Sequence, residues 1–169
     1  MDPRVQGLKA GDPAAFDAVW AELRQPLFGF LVRLVGSAEV GEELLQETFL
    51  RLARHAPRLR DDTQLRPWLF TVARNLATSW RRWWWLDLRR REAFVAPNPP
   101  ASPLAAAEGR EAALRLEAAI AALSVADREI VLLVGVEGMA PGEAAEVLGI
   151  SAEAARQRWA RAKARLGDP

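Results

Sequence analysis

Residues Glu143 to Leu166 read EAAEVLGISAEAARQRWARAKARL. Gly149 sits where a helix can end in the left-handed conformation, Ile150 plugs the turn, and Ser151 is a favoured N-cap for a second helix. In that second helix Ala155, Trp159, Ala162 and Leu166 fall at 0, +4, +7 and +11, a single apolar stripe. Gln157, Ala160, Arg161 and Ala164 point the other way, with Arg156, Arg158 and Arg165 on the shoulders. The pattern predicts a helix-turn-helix whose second helix packs on the first and presents arginines to duplex DNA. Arginine pairs bidentately with guanine edges or phosphates, and the alanines permit close approach.

The rest of the chain bears on that reading through its charge and composition. The 169 residues are half hydrophobic, enough for real cores, and carry a net charge of only +1. Attraction to nucleic acid must therefore come from uneven placement. Ala73 to Arg91 holds Arg74, Arg81, Arg82, Arg89, Arg90 and Arg91 against Asp87 alone, and Ser151 to Leu166 holds five cations against Glu153. The absence of cysteine excludes disulfides, thiolate metal sites and thiol redox sensing. The single histidine, His55, precedes Ala56-Pro57, where a helix should stop, and is read as a helix-end surface residue. No signal segment opens the chain and no apolar run approaches membrane-spanning length, so a cytoplasmic protein without membrane insertion is expected.

Pro97, Pro99, Pro100 and Pro103 make residues 92–107 a semi-rigid linker between an N-terminal unit, 1–91, and a C-terminal unit, 108–169. The N-terminal unit reads as helices. Asp12-Pro13 starts one that Pro26 should interrupt or kink, Ser37 caps one running to about His55, and Pro67 opens a long one reaching about Arg90. In the C-terminal unit Glu111–Leu123 is amphipathic, Ser124 and Asp127 suggest a capping box, and Gly138 breaks the next helix. No stretch has strand character, so the fold class is all-α: two small helical domains joined by a Pro-rich linker.

Two constellations stand out in the N-terminal unit. In the helix from Pro67, Leu69, Val72, Leu76, Trp80 and Trp83 form a core stripe, with Trp68 also expected inside. Arg74, Thr78, Arg81 and Trp85 lie opposite, with Asn75 and Arg82 on one flank. That outer face suits nucleic acid, arginines holding phosphates and a ring stacking on an unpaired base, although Trp85 could equally face a protein. In the helix after Ser37, Glu39, Glu43 and Gln46 share a face with Glu47 beside them, while Leu45, Phe49 and Leu52 look inward. The carboxylate face is either solvated or a dock for a basic partner helix.

The order of these pieces, Gly11-Asp12-x-x-Ala15-Phe16, Glu43-Leu44-Leu45-Gln46-Glu47-Thr48-Phe49, Trp68-Leu69-x-x-x-Ala73-Arg74-Asn75, a linker, and a helix-turn-helix ending Arg161-Ala162-Lys163, resembles the extracytoplasmic-function (group IV) sigma factors of bacteria. The resemblance implies that the N-terminal unit recognises and melts the −10 promoter element and that the C-terminal unit reads the −35 element as duplex. It places Glu43, Gln46 and Glu47 in the docking motif for RNA polymerase core, and Asn75 with the loop 58–66 in the part that captures a flipped non-template base. It also implies an anti-sigma partner, and no cofactor. Glu43 stands where the family usually has Asp, Glu153-Ala154-Ala155 where it often has Gly-Thr-Val, and Ala144 where an aliphatic residue is common; Trp159 is expected to refill the lost volume. With Pro169 just past the last helix, no C-terminal regulatory extension is expected.

Two other classes compete. A polymerase-independent helix-turn-helix regulator would leave the acidic face and the outer face of the Pro67 helix unexplained. An enzyme would need a nucleophile, base, metal or phosphate loop, and one isolated histidine with no Gly-rich loop assembles none of these.

Overall fold

The computed structural model describes residues 1–88 and 109–167, which fall in two compact units. Every element among them is helical, so the fold is all-α. The linker expected over 92–107 lies outside the described residues, as do Arg89, Arg90 and Arg91. Among the described residues no helix is long and apolar enough to cross a membrane.

The N-terminal unit contains α1 (Pro3–Lys9), α2 (Pro13–Val35), α3 (Ala38–His55), a 3-10 turn (Ala56–Arg58) and α4 (Leu65–Leu88). Side chains cap the first three: Asp2 accepts from the Arg4 amide at 3.0 Å, Asp12 from Ala14 at 3.0 Å and Ser37 from Val40 at 3.3 Å. α1 escaped the sequence reading, although Asp2-Pro3 repeats the Asp12-Pro13 signature that revealed α2. α2 packs on α1, α3 and α4. Leu23, Leu27, Phe30, Leu31 and Leu34 are its buried residues, and Phe30 lies edge-on to Phe70 at 5.1 Å.

Of the interruption or kink expected at Pro26, the interruption does not occur: α2 runs through it. An interior proline costs a helix about 3 kcal/mol. Burying each large apolar side chain returns about 1.5–3 kcal/mol, and several flank Pro26 on both sides, so tertiary packing outweighs local propensity.

α4 departs from its predicted stripe. Leu69 and Leu76 are buried together with Leu65, Phe70, Ala73 and Ala77, but no residue from Thr78 to Asp87 is buried. The helix outruns the elements it packs on. Trp83, expected in the core, is therefore 60% exposed, and Trp68 and Trp80 are only half-buried. Trp80 instead stacks on Trp84 one turn later, rings 5.3 Å apart at 14°.

The C-terminal unit contains α5 (Arg110–Ala122), α6 (Val125–Ile130), a π-helical stretch (Val131–Val136), α7 (Pro141–Leu148) and α8 (Ala152–Leu166). Ser124 accepts from the Asp127 amide at 3.2 Å, as the capping box requires, but the Asp127 carboxylate binds Arg165 of α8. Arg128 closes the end of α5 by donating to the carbonyls of Ile120, Ala121 and Leu123. The π-helical stretch brings Gly135 against Trp159, where an added Cβ would lie 3.1 Å from the indole. Ala144, Ala155 and Ala162 are fully buried.

Candidate nucleic-acid and polymerase interfaces

In the helix-turn-helix, α7 ends at Gly149 with φ +65, the left-handed conformation that costs glycine nothing, and the Ile150 amide donates back to the Ala145 carbonyl at 3.0 Å. Ser151 accepts from the Ala154 amide at 3.1 Å and starts α8. Ile150 is half-buried, a looser plug than expected. Ala155 and Ala162 face inward, Trp159 and Leu166 are half-buried, and Arg156, Gln157, Ala160, Arg161 and Ala164 are exposed on the far side. Glu153 gathers two of these: it pairs with Arg156 at 2.9 Å and accepts from Gln157 at 3.1 Å. The Arg156 hydrogen bond, then that of Gln157, holds the Glu153 carboxyl below its ordinary pKa. Arg161 has no such partner among the described residues. Arg158 is half-buried, and Arg165 binds the 9%-exposed side chain of Asp127. The five polar residues singled out on α8 thus split: Arg161 without a partner among the described residues, Arg156 and Gln157 tethered to an exposed carboxylate, Arg158 half-buried, and Arg165 engaged within the domain.

Exposure rotates the α4 face by about one residue from the predicted stripe. Arg74 and Arg81 are half-buried and have partners within the chain. Asn75, Arg82 and Trp85, at 0, +7 and +10, are exposed instead, Trp85 at 67%. The Asn75 amide makes no hydrogen bond among the described residues. Ser79, one turn beyond Asn75, completes a polar surface that the charge pattern did not flag. The loop before α4 is held by buried Leu59 and Leu65, by the Thr63 amide donating to the Arg60 carbonyl at 3.0 Å, and by an ion pair from Lys9 of α1 to Asp61. The Lys9 contact lowers the Asp61 pKa. Thus α1 braces the loop that leads into α4.

On α3, Leu45, Phe49 and Leu52 are buried, while Glu39, Glu43 and Gln46 are exposed. Glu43 has no ion pair among the described residues. Glu47 is half-buried and pairs with Arg51 at 3.1 Å. Leu50, 50% exposed, lies one turn beyond Gln46 and Glu47 and adds an exposed apolar side chain that sequence reasoning passed over. No group of three or more acidic or histidine residues among the described residues could hold a metal ion.

Comparison with known proteins agrees with this layout. The Sigma-70 region 2 family matches residues 19–85, and the Sigma-70 region 4 family matches residues 113–166. The chain is 34% identical over 157 residues to the RNA polymerase sigma factor CarQ of Myxococcus xanthus, covering 91% of this chain and 88% of that protein. It is 34% identical over 143 residues to the ECF RNA polymerase sigma factor EcfG of Rhodopseudomonas palustris, covering 83% and 76%. In fold it is similar to the sigma factor RpoE of Bartonella quintana, solved with the anti-sigma factor NepR, with TM-score 0.77 at 22% identity over 89% of this chain and 93% of that one. CnrH, solved with the cytosolic domain of CnrY, gives TM-score 0.72 at 23% identity over 96% and 92%. With both regions in order along one chain and relatives matched over most of their length, the chain belongs to the ECF family of RNA polymerase sigma factors.

Proposed function

We propose that this chain binds RNA polymerase core through the exposed face of α3, opens promoters by holding the unpaired −10 strand on the Asn75–Arg82–Trp85 face of α4, and reads the −35 element as duplex through α8. It performs no chemistry of its own, and an anti-sigma factor is its natural inhibitor. The observation that carries the reading is Glu43: an exposed carboxylate, beside Gln46, with no cation among the described residues to satisfy it. A helix-turn-helix regulator acting alone has no use for that face. Adding the protein to bacterial core polymerase and a promoter library tests the reading. Protein-dependent open complexes are expected, whereas duplex binding without opening would favour the polymerase-independent regulator.

Two single-residue changes carry distinct expectations. Glu43→Arg should weaken core binding by about tenfold or more, since a like-charge encounter replaces an attraction, while stability changes by no more than about 0.5 kcal/mol at so exposed a site. A native melting curve with undiminished core affinity would remove α3 from the interface. Asn75→Ala should impair opening of duplex promoters more than of templates already mismatched at the −10 element. Unpairing costs a few kcal/mol that must return through capture of the strand. Equal defects on both templates would show that Asn75 takes no part in melting or base capture.

A further inference from the structure

Two stripes run along α8 with the same spacing. Ala155, Trp159, Ala162 and Leu166 face the domain, while Glu153, Gln157, Ala160 and Ala164, also at 0, +4, +7 and +11, are all exposed on the other side. A carboxylate therefore heads the outward stripe, in the first turn of the helix offered to DNA. A first-turn acid complements the helix dipole and would by itself imply nothing more. Glu153, however, is the centre of a cluster. One of its oxygens accepts from the Arg156 guanidinium at 2.9 Å and the other from the Gln157 side-chain amide at 3.1 Å. An ionised carboxylate has about four acceptor positions, so each oxygen keeps room for a further donor. Behind it, Ala160 and Ala164 present nothing beyond a methyl group that would hold the helix away from base edges.

We infer that Glu153 is a specificity-determining residue of the −35 contact, accepting a hydrogen bond from the N4 amino group of a cytosine and rejecting guanine and thymine at that position. The inference rests on the −35 reading above. A recognition helix meets base edges with its N-terminal residues, and Glu153 is the second residue of α8. In the major groove guanine shows only acceptors, and thymine an acceptor and a methyl group, none of which a carboxylate can pair with. Adenine sets its amino donor beside the N7 acceptor, whereas cytosine shows a donor without one. The negative charge also acts on phosphate: it weakens binding to DNA of every sequence, and only a matching donor offsets that repulsion. The contacts to Arg156 and Gln157 are exposed and contribute little to stability. Their effect is to gather the three side chains before DNA arrives, so that a base edge meets them as one group.

The full-length chain, together with RNA polymerase core, is bound to promoter duplexes randomised over the upstream element, and the retained sequences give the base preference at each position. Wild type should prefer cytosine over guanine or thymine by about tenfold at one position. Glu153→Ala should abolish that preference alone. Its binding to duplex of unrelated sequence should tighten by about twofold to fivefold at low salt, and by less at high salt, because a repulsion has been removed. Glu153→Gln keeps the reach and loses the charge, so the same position should turn to adenine, which a glutamine amide pairs with at N6 and N7. A residue that merely stabilised α8 could not move a preference from one base to another. Thermal melts confirm that both variants stay folded. Preferences unchanged at every position in both variants, whatever happens to overall affinity, overturn the inference, as does an even loss of preference at all positions. In either case a wild type that still selects its sequence leaves the −35 reading standing. A wild type that selects no sequence there ends that reading, and the role of Glu153 with it.

Discussion

Phe70→Ala is expected to cost the N-terminal unit about 3–5 kcal/mol, the range for truncating a buried aromatic. Phe70 is fully buried and its ring meets Phe30 edge-on at 69°, tying α4 to the middle of α2. Truncation removes the transfer energy of the ring and that pairing at once, and leaves a void between helices too regular to collapse into it. Against a total of about 5–15 kcal/mol for a domain, the variant should lie close to its unfolding midpoint in mild urea. Trp83→Ala is the matched control. Its ring is larger, yet at 60% exposure its loss should stay within about 0.5 kcal/mol. Urea titrations of both variants check this, and a Trp83→Ala midpoint shifted as far as that of Phe70→Ala would mean that the end of α4 is packed after all.

The contrast between these two residues marks where the sequence was legible. Turn chemistry is local: Gly149, Ile150 and Ser151 announce the helix-turn-helix because a left-handed cap and a hydroxyl cap depend on a few neighbours only. The periodicity of α4 was also plain, but periodicity says which residues share a face, not where the packing partner stops. Leu76 and Trp83 share a stripe, and only the first is buried. The same limit hid the stacking of His55 on Trp68, which meet only through the reversal between α3 and α4. A π-helical turn has no composition of its own, and Gly135 explains itself only once Trp159 lies against it. Charge counting likewise treated Arg74, Arg81 and Arg165 as outward cations, yet each has a partner within the chain, and the partner of Arg165 lies 38 residues away.

That last pairing divides the arginines of α8 into two kinds, and the division can be measured. Arg165→Ala leaves the Asp127 carboxylate, 9% exposed, without its cation. Orphaning a buried charged acceptor of this sort costs about 1–3 kcal/mol, so the C-terminal unit should melt at a lower temperature. Any loss of promoter affinity should then track the loss of folded protein, alike at every base of the −35 element. Arg165→Lys keeps the charge without the planar fork and should recover part of the stability. Arg161 is exposed with no internal partner among the described residues, so Arg161→Ala should leave the melting temperature unchanged and weaken −35 binding by about 1–3 kcal/mol if the residue reads a base, with the preference relaxed at one position. If Arg161 meets only phosphate, binding falls evenly across sequences and the salt slope drops by about one. Thermal melts beside binding to a panel of single-base −35 variants at two salt concentrations separate these cases. An Arg165→Ala variant that melts like wild type but loses preference at one base would return Arg165 to the DNA and leave Asp127 content without it.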